Sequence, residues 1–278
     1  MPLPLLTPLQ LQQSLAENTV VFDCRFSLAD FSVGREQYLQ GHIPGAYHLD
    51  MERDLSGPKG KHGGRHPLPS PEQFDAKMRA CGVDSETRVV AYDDNRMAGA
   101  ARLWWLLRYF GHERVQVLDG GLKGWLAAGG ELGTEIPPEK QGFFQAKPDP
   151  SMVLALQDLQ KADAQPVTLI DAREAPRYRG EQEPIDPVAG HIPGALNLPW
   201  IQLTDTEGRF ISTEQQHACW QALGKLEKPV VYCGSGVTAC VDLLSLALLG
   251  RDDAQLYSGS WSDWCSYPDN PIATGDTP

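Results

Sequence analysis

"GHIPGAYHLD" (Gly41–Asp50) and "GHIPGALNLP" (Gly190–Pro199) are nearly the same phrase written twice. Other pairs flank them in the same order. "VVFDCR" (Val20–Arg25) returns as "TLIDAR" (Thr168–Arg173), and "VVAYD" (Val89–Asp93) as "PVVYC" (Pro229–Cys233). "LDGGLKGW" (Leu118–Trp125) returns as "YSGSWSDW" (Tyr257–Trp264). A repeat of this length is too long for a solenoid and means two copies of one domain. The chain of 278 residues agrees with two domains of about 150 residues each.

Within each copy, short β-branched runs alternate with helical patterns. In the first, "RVVAYD" and "VQVLDG" read as strands around the helical "AARLWWLLRYFG". In the second, "VTLIDA", "PVVYC" and "AQLYSG" are strands, and "VDLLSLALLG" is a helix closed by Gly250. Continuous apolar strands separated by helices predict an α/β fold, each domain a mainly parallel sheet with helices on both faces. The Pro-rich and charged stretch between the copies reads as a linker. The expected division is 1–136, a linker at 137–150, and 151–278.

The net charge of -12 disfavours nucleic acid and anionic membrane surfaces as partners. An anionic small molecule would need a local positive site. No apolar stretch approaches a membrane span, and the N-terminus lacks the pattern of a signal peptide. The six cysteines form no CxxC pair and no His/Cys cluster of zinc spacing, so no metal site is expected. A cytoplasmic location with reduced thiols follows as the expectation.

One cysteine stands apart. "YCGSGVTAC" (Tyr232–Cys240) puts Cys233 at the carboxyl end of a strand, on a Gly-rich loop that opens a helix. Ligands of parallel α/β sheets gather at that edge. Gly234 and Gly236 let backbone N–H groups converge, with Ser235, Val237 and Thr238 completing the loop, and the helix start adds partial positive charge. Such surroundings lower a thiol from its ordinary pKa of about 8.5 to about 3.5–7.5. Cys233 is therefore read as a nucleophile. The first copy has Asp93 at the equivalent position, so it lacks the thiol and reads as a scaffold. A cysteine phosphatase would need Cys-x5-Arg, and the residue six after Cys233 is Ala239.

The doubled "GHIPGA", the "DAR" strand end and the loop "CGSGVTA" resemble the two-domain rhodanese-like sulfurtransferases, over nearly the whole chain. The loop is similar to that of the 3-mercaptopyruvate enzymes; thiosulfate enzymes of this shape usually carry charge there, as in "CRKGVTA". The resemblance implies a persulfide on Cys233. The donor would be a small anionic sulfur compound, 3-mercaptopyruvate before thiosulfate. The acceptor would be a thiol, a thioredoxin-like protein or cyanide, with no cofactor. A sulfur-relay protein dedicated to one protein partner is the reading from another class. The resemblance further implies that Ser235 is linked to a histidine, His66 in "GRHPLP", and to a carboxylate, Glu52, with His62 and Asp50 as rivals. Arg177 in "DAREAPRYRG" would hold the substrate carboxylate, with Arg179 beside it. The family's second arginine, in an "EPR" stretch, is here Ile185. The missing contact would come from Arg179 or from a first-half arginine such as Arg65. The repeated His42 and His191 read as structural.

Overall fold

The structure is a computed structural model and describes residues 3–15, 18–160 and 167–278. The chain divides into two compact units. One comprises residues 1–57, 68–149 and 204–210; the other comprises 58–67, 150–203 and 211–278.

The first unit carries strands β1 (Leu5–Leu6), β2 (Thr19–Asp23), β3 (Tyr47–His48), β4 (Arg88–Tyr92) and β5 (Val115–Leu118). Its helices are α1 (Pro8–Ser14), α2 (Ser32–Gln40), α3 (Pro71–Ala80), α4 (Ala98–Tyr109) and α5 (Gly121–Ala127). The strands form one parallel sheet in the order β1-β5-β4-β2-β3. β2 and β4 are buried along almost their whole length, which is why both read as unbroken apolar runs rather than alternating ones. Helix α4 is buried on nearly every side, as its apolar composition requires. Residues 137–149, expected as a linker, belong to this unit. They hydrogen-bond to it through Lys140 N–H to Ala80 O, Gly142 N–H to Arg79 O and Lys147 N–H to Phe110 O.

The second unit has β6 (Thr168–Asp171), β7 (Leu196–Asn197), β8 (Pro229–Tyr232) and β9 (Gln255–Leu256). Its helices are α6 (Leu156–Leu159), α7 (Ala175–Tyr178), α8 (Thr213–Ala222), α9 (Ala239–Leu248) and α10 (Ser260–Trp264). The parallel order β7-β6-β8-β9 repeats β3-β2-β4-β5. A single parallel bridge from Val153 to Leu256 stands where the first unit has β1.

The repeated phrases are the joints of this fold. Arg25 pairs with Asp23 and donates to Gly41 O at 2.8 Å; Arg173 pairs with Asp171 and donates to Gly190 O at 2.7 Å. His42 stacks on Tyr38 with centroids 3.9 Å apart, and His191 stacks on Tyr178 at 3.8 Å. Each histidine also bonds its tyrosine's carbonyl through Nδ1, at 2.7 and 2.8 Å. Both histidines are fully buried. "GHIPGA" thus ties the first helix after the DxR strand to the next strand, in each copy alike.

Candidate active site

β8 ends at Tyr232, α9 starts at Ala239, and the loop between them carries Cys233. The thiol is 1% exposed. Gly236 N–H donates to Cys233 Sγ at 3.2 Å. Gly236 has φ 77, a left-handed conformation that favours glycine, and a Cβ there would press on Ser258 O at 2.5 Å. The backbone of Cys233 is held at both ends. Its N–H donates to Ser260 Oγ at 3.1 Å, and its carbonyl accepts from Trp261 N–H at 3.0 Å. Asp242, on the first turn of α9, is fully buried. Burial, then the neighbouring Cys233 and Asp171, push its carboxyl well above the usual carboxylate range.

The internal repeat gives this loop its control. In the first unit the Asp93 carboxylate accepts three backbone N–H groups, from Asn95 (2.8 Å), Met97 (3.0 Å) and Ala100 (2.9 Å). The strand-to-helix loop thus turns three N–H groups onto a carboxylate in the first copy and the Gly236 N–H onto the Cys233 sulfur in the second. One copy fills the loop with its own carboxylate, and the other offers it to a sulfur.

Residues 58–67 run along the second unit as a strap. Gly63 N–H donates to Asp263 Oδ1 at 2.7 Å, and Arg65 N–H donates to Ser262 Oγ at 3.1 Å. His62 stacks on Tyr267 at 4.0 Å and bonds Ser266 Oγ at 2.7 Å. Gly64 has φ 83, and a Cβ on it would collide with Gly259 O. The strap thereby delivers His66, 2% exposed, to the cysteine loop, where Nδ1 and Ser235 Oγ are hydrogen-bonded at 2.8 Å. His62, the rival histidine, serves as an anchor of the strap.

The strap also delivers Arg65. A Cβ built on Gly234 would lie 2.9 Å from Arg65 Nη2 and 3.4 Å from Arg177 Nη2. Two guanidinium groups therefore close over Gly234, and a larger residue there would have to displace them. Arg177 pairs with Glu183 at 2.7 Å and with Asp186 at 3.4 Å, and Arg65 pairs with the other oxygen of Asp186. Burial raises the Asp186 carboxyl, and Arg65 opposes that rise. Ile185 is half exposed.

The structure thus brings together Cys233, Gly234, Ser235, Gly236, His66 and Arg177, with Val237 and Thr238 leading into α9. Arg179 instead makes a two-point pair with Glu181, both contacts 2.8 Å, and a longer pair with Asp276. Glu52 lies in the first unit, its N–H donating to Asp50 Oδ1 at 2.8 Å. Three supporting residues escaped the sequence reading: Ser260, Ser262 and Asp263. The signal was present in the repeat, since "GGLKG" in the first copy becomes "GSWSD" in the second. Gly121 matches Ser260, Lys123 matches Ser262 and Gly124 matches Asp263. Each change installs a side chain that fastens either Cys233 or the strap. Among the described residues, no His, Cys, Asp or Glu group is arranged to hold a metal ion.

Fold and site define a duplicated α/β protein in which only the second copy presents a cradled thiol. The family model described as the Rhodanese-like domain matches residues 7–128 and 153–267, and the chain belongs to that family. A curated relative from Pseudomonas aeruginosa, named a probable 3-mercaptopyruvate sulfurtransferase, is 47% identical, covering 98% of each chain. A Mycobacterium tuberculosis relative, named the putative thiosulfate sulfurtransferase SseB, is 42% identical over 92% of this chain and 90% of its own. The crystal structure of the Escherichia coli 3-mercaptopyruvate enzyme SseA superposes with a TM-score of 0.82. It is 36% identical, and the match covers 93% of this chain and 99% of that one.

Proposed function

We propose that this chain is a sulfurtransferase that takes sulfur from 3-mercaptopyruvate onto Cys233 and passes it to a thiol or to cyanide, releasing pyruvate. The observation that carries the reading is the pairing of a cradled thiol with two arginines that reach over Gly234 from outside the loop. The Cys233 thiolate attacks the donor's sulfur. A sulfur–sulfur bond forms, the carbon–sulfur bond breaks, and its electron pair leaves as the enolate of pyruvate, which takes a proton at carbon. Arg177 and Arg65 hold the donor's carboxylate by charged, forked hydrogen bonds. The Ser235–His66 pair relays the proton, and Glu52 is assigned as the carboxylate of that relay. The persulfide, anionic at its outer sulfur, stays in the N–H cradle. An acceptor thiolate, from a small thiol or a thioredoxin-like protein, or cyanide then attacks that sulfur and regenerates the Cys233 thiolate. No cofactor enters the scheme.

The nucleophile is assigned to residues 151–278, with His66 and Arg65 supplied to it by the strap 58–67, and a scaffold role is assigned to the rest of 1–136 together with 137–149, which packs onto that unit. No helix among the described residues is long and apolar enough to cross a membrane, and we assign the protein to the cytoplasm. Thiosulfate is the competing donor, favoured by the name of the Mycobacterium tuberculosis relative. The deciding measurement is the ratio of kcat/KM for 3-mercaptopyruvate to that for thiosulfate, with cyanide as acceptor. A ratio well above one is expected, and one well below would make this chain a thiosulfate enzyme. Failure with every small acceptor, with transfer only to a protein, would make it a dedicated relay.

A further inference from the structure

Asp186 is a costly residue to place beside an anion site. Its side chain is 3% exposed, and its two carboxylate oxygens point at the two arginines that cover Gly234, Oδ1 at Arg65 and Oδ2 at Arg177. Glu183 is differently employed. It accepts from Arg173 and Arg177 and from the N–H groups of Ile185 and Asp186, so it shapes the turn. Three arginines (65, 173 and 177) thus face three carboxylates (171, 183 and 186). The ion-pair cluster that covers Gly234 is therefore built from cations yet carries no net charge.

We propose that Asp186 is a specificity-determining residue: by neutralising the Arg65–Arg177 clamp, it admits a donor with one negative charge and disfavours one with two. A monoanionic α-keto acid adds one negative charge to this neutral cluster, a smaller electrostatic cost than a dianion imposes. Thiosulfate brings a second charge, and among the described residues the cations nearest Gly234 are the already paired Arg65 and Arg177, in a half-buried site where screening is weak. Gly234 and Ser235 add no cation from the loop. The inference rests on the sulfur-transfer reading above.

The test is a charge cycle: wild type, Asp186→Asn, Arg65→Gln and the double variant, each assayed with both donors and cyanide. Asp186→Asn should shift the thiosulfate-to-mercaptopyruvate ratio of kcat/KM upward by about tenfold or more, as expected for one uncovered charge at contact distance. The shift should shrink as salt is raised. Arg65→Gln should move the ratio the other way, and the double variant should return towards wild type. Equal losses on both donors in Asp186→Asn would reduce Asp186 to a bracket for Arg65 and overturn the proposal. If Asp186→Asn does not fold, as judged by its circular dichroism melt, Arg65→Gln decides: an unchanged ratio there overturns it. A wild type that already prefers thiosulfate would refute the functional reading instead, because the proposal concerns the change in ratio.

Discussion

Ser260 pays for its place with backbone strain and returns it as position. Its φ of 56 is left-handed, and the first copy has a glycine, Gly121 with φ 52, at that point. A non-glycine residue there costs on the order of 1 kcal/mol. The Ser260 hydroxyl accepts the Cys233 N–H and donates to Tyr257 O at 3.0 Å, all of it buried. Ser260→Ala keeps the strain and leaves a buried N–H without its acceptor, so it should cost about 1–3 kcal/mol and slow persulfide formation. Ser260→Gly loses the same bond but relieves the strain, and should be the more stable of the two. Urea denaturation with single-turnover persulfide kinetics on both variants checks the order; a more stable alanine variant would remove Ser260 from the positioning of Cys233. At this scale the nucleophile was legible, because strand end, glycines and helix start leave marks in sequence. Ser260 was not, because a strained serine looks like any other until its register against Gly121 is read.

At the scale of the element, the strap 58–67 is the feature that local sequence could least disclose. It has no periodicity, and its anchors are single contacts to residues about 200 positions away, such as Gly63 to Asp263 and His62 to Ser266. The sheets, by contrast, were readable because buried parallel strands and helices carry continuous apolar patterns. The resemblance supplied His66, but Arg65 was one of two choices for the missing cation; the geometry around Gly234 favours it over Arg179. Gly64 is the strap's closest approach to the backbone of Gly259. Gly64→Ala adds a Cβ against Gly259 O at a left-handed φ, so the strap must shift with both of its functional side chains. A displacement near 1 Å is expected to lower kcat/KM for mercaptopyruvate by about 100-fold. His66→Ala, which leaves the strap seated, should instead slow pyruvate release by roughly 100-fold or more with little change in KM. Rapid-quench pyruvate assays separate the two. Identical kinetic signatures would mean that the strap's position and His66's chemistry are not separable roles.

Over the whole molecule, duplication has let one cradle be filled and the other emptied. The pairing Asp93–Cys233 is more than loss of a nucleophile, since Asp93 is buried and satisfies three N–H groups that would otherwise seek an anion. Burial is the largest influence on its carboxyl and pushes it up to about 6, against the pull of those N–H donors. A raised carboxyl favours the fold while it is protonated. That contribution is complete below the unfolded value near pH 4 and is lost as pH rises through about 6. The loss over this window is on the order of 3 kcal/mol. Asp93→Asn removes the titration. Its single carbonyl oxygen also accepts fewer of the three N–H groups, a penalty that does not change with pH. The prediction therefore concerns slope rather than level. In urea titrations at a series of pH values from about 4 to 7, the stability of Asp93→Asn relative to wild type should rise with pH across that window. A constant difference between the two proteins would mean that Asp93 is already ionised in the fold at pH 4, its three N–H donors outweighing its burial. In that case the first cradle binds charge as strongly as the second must.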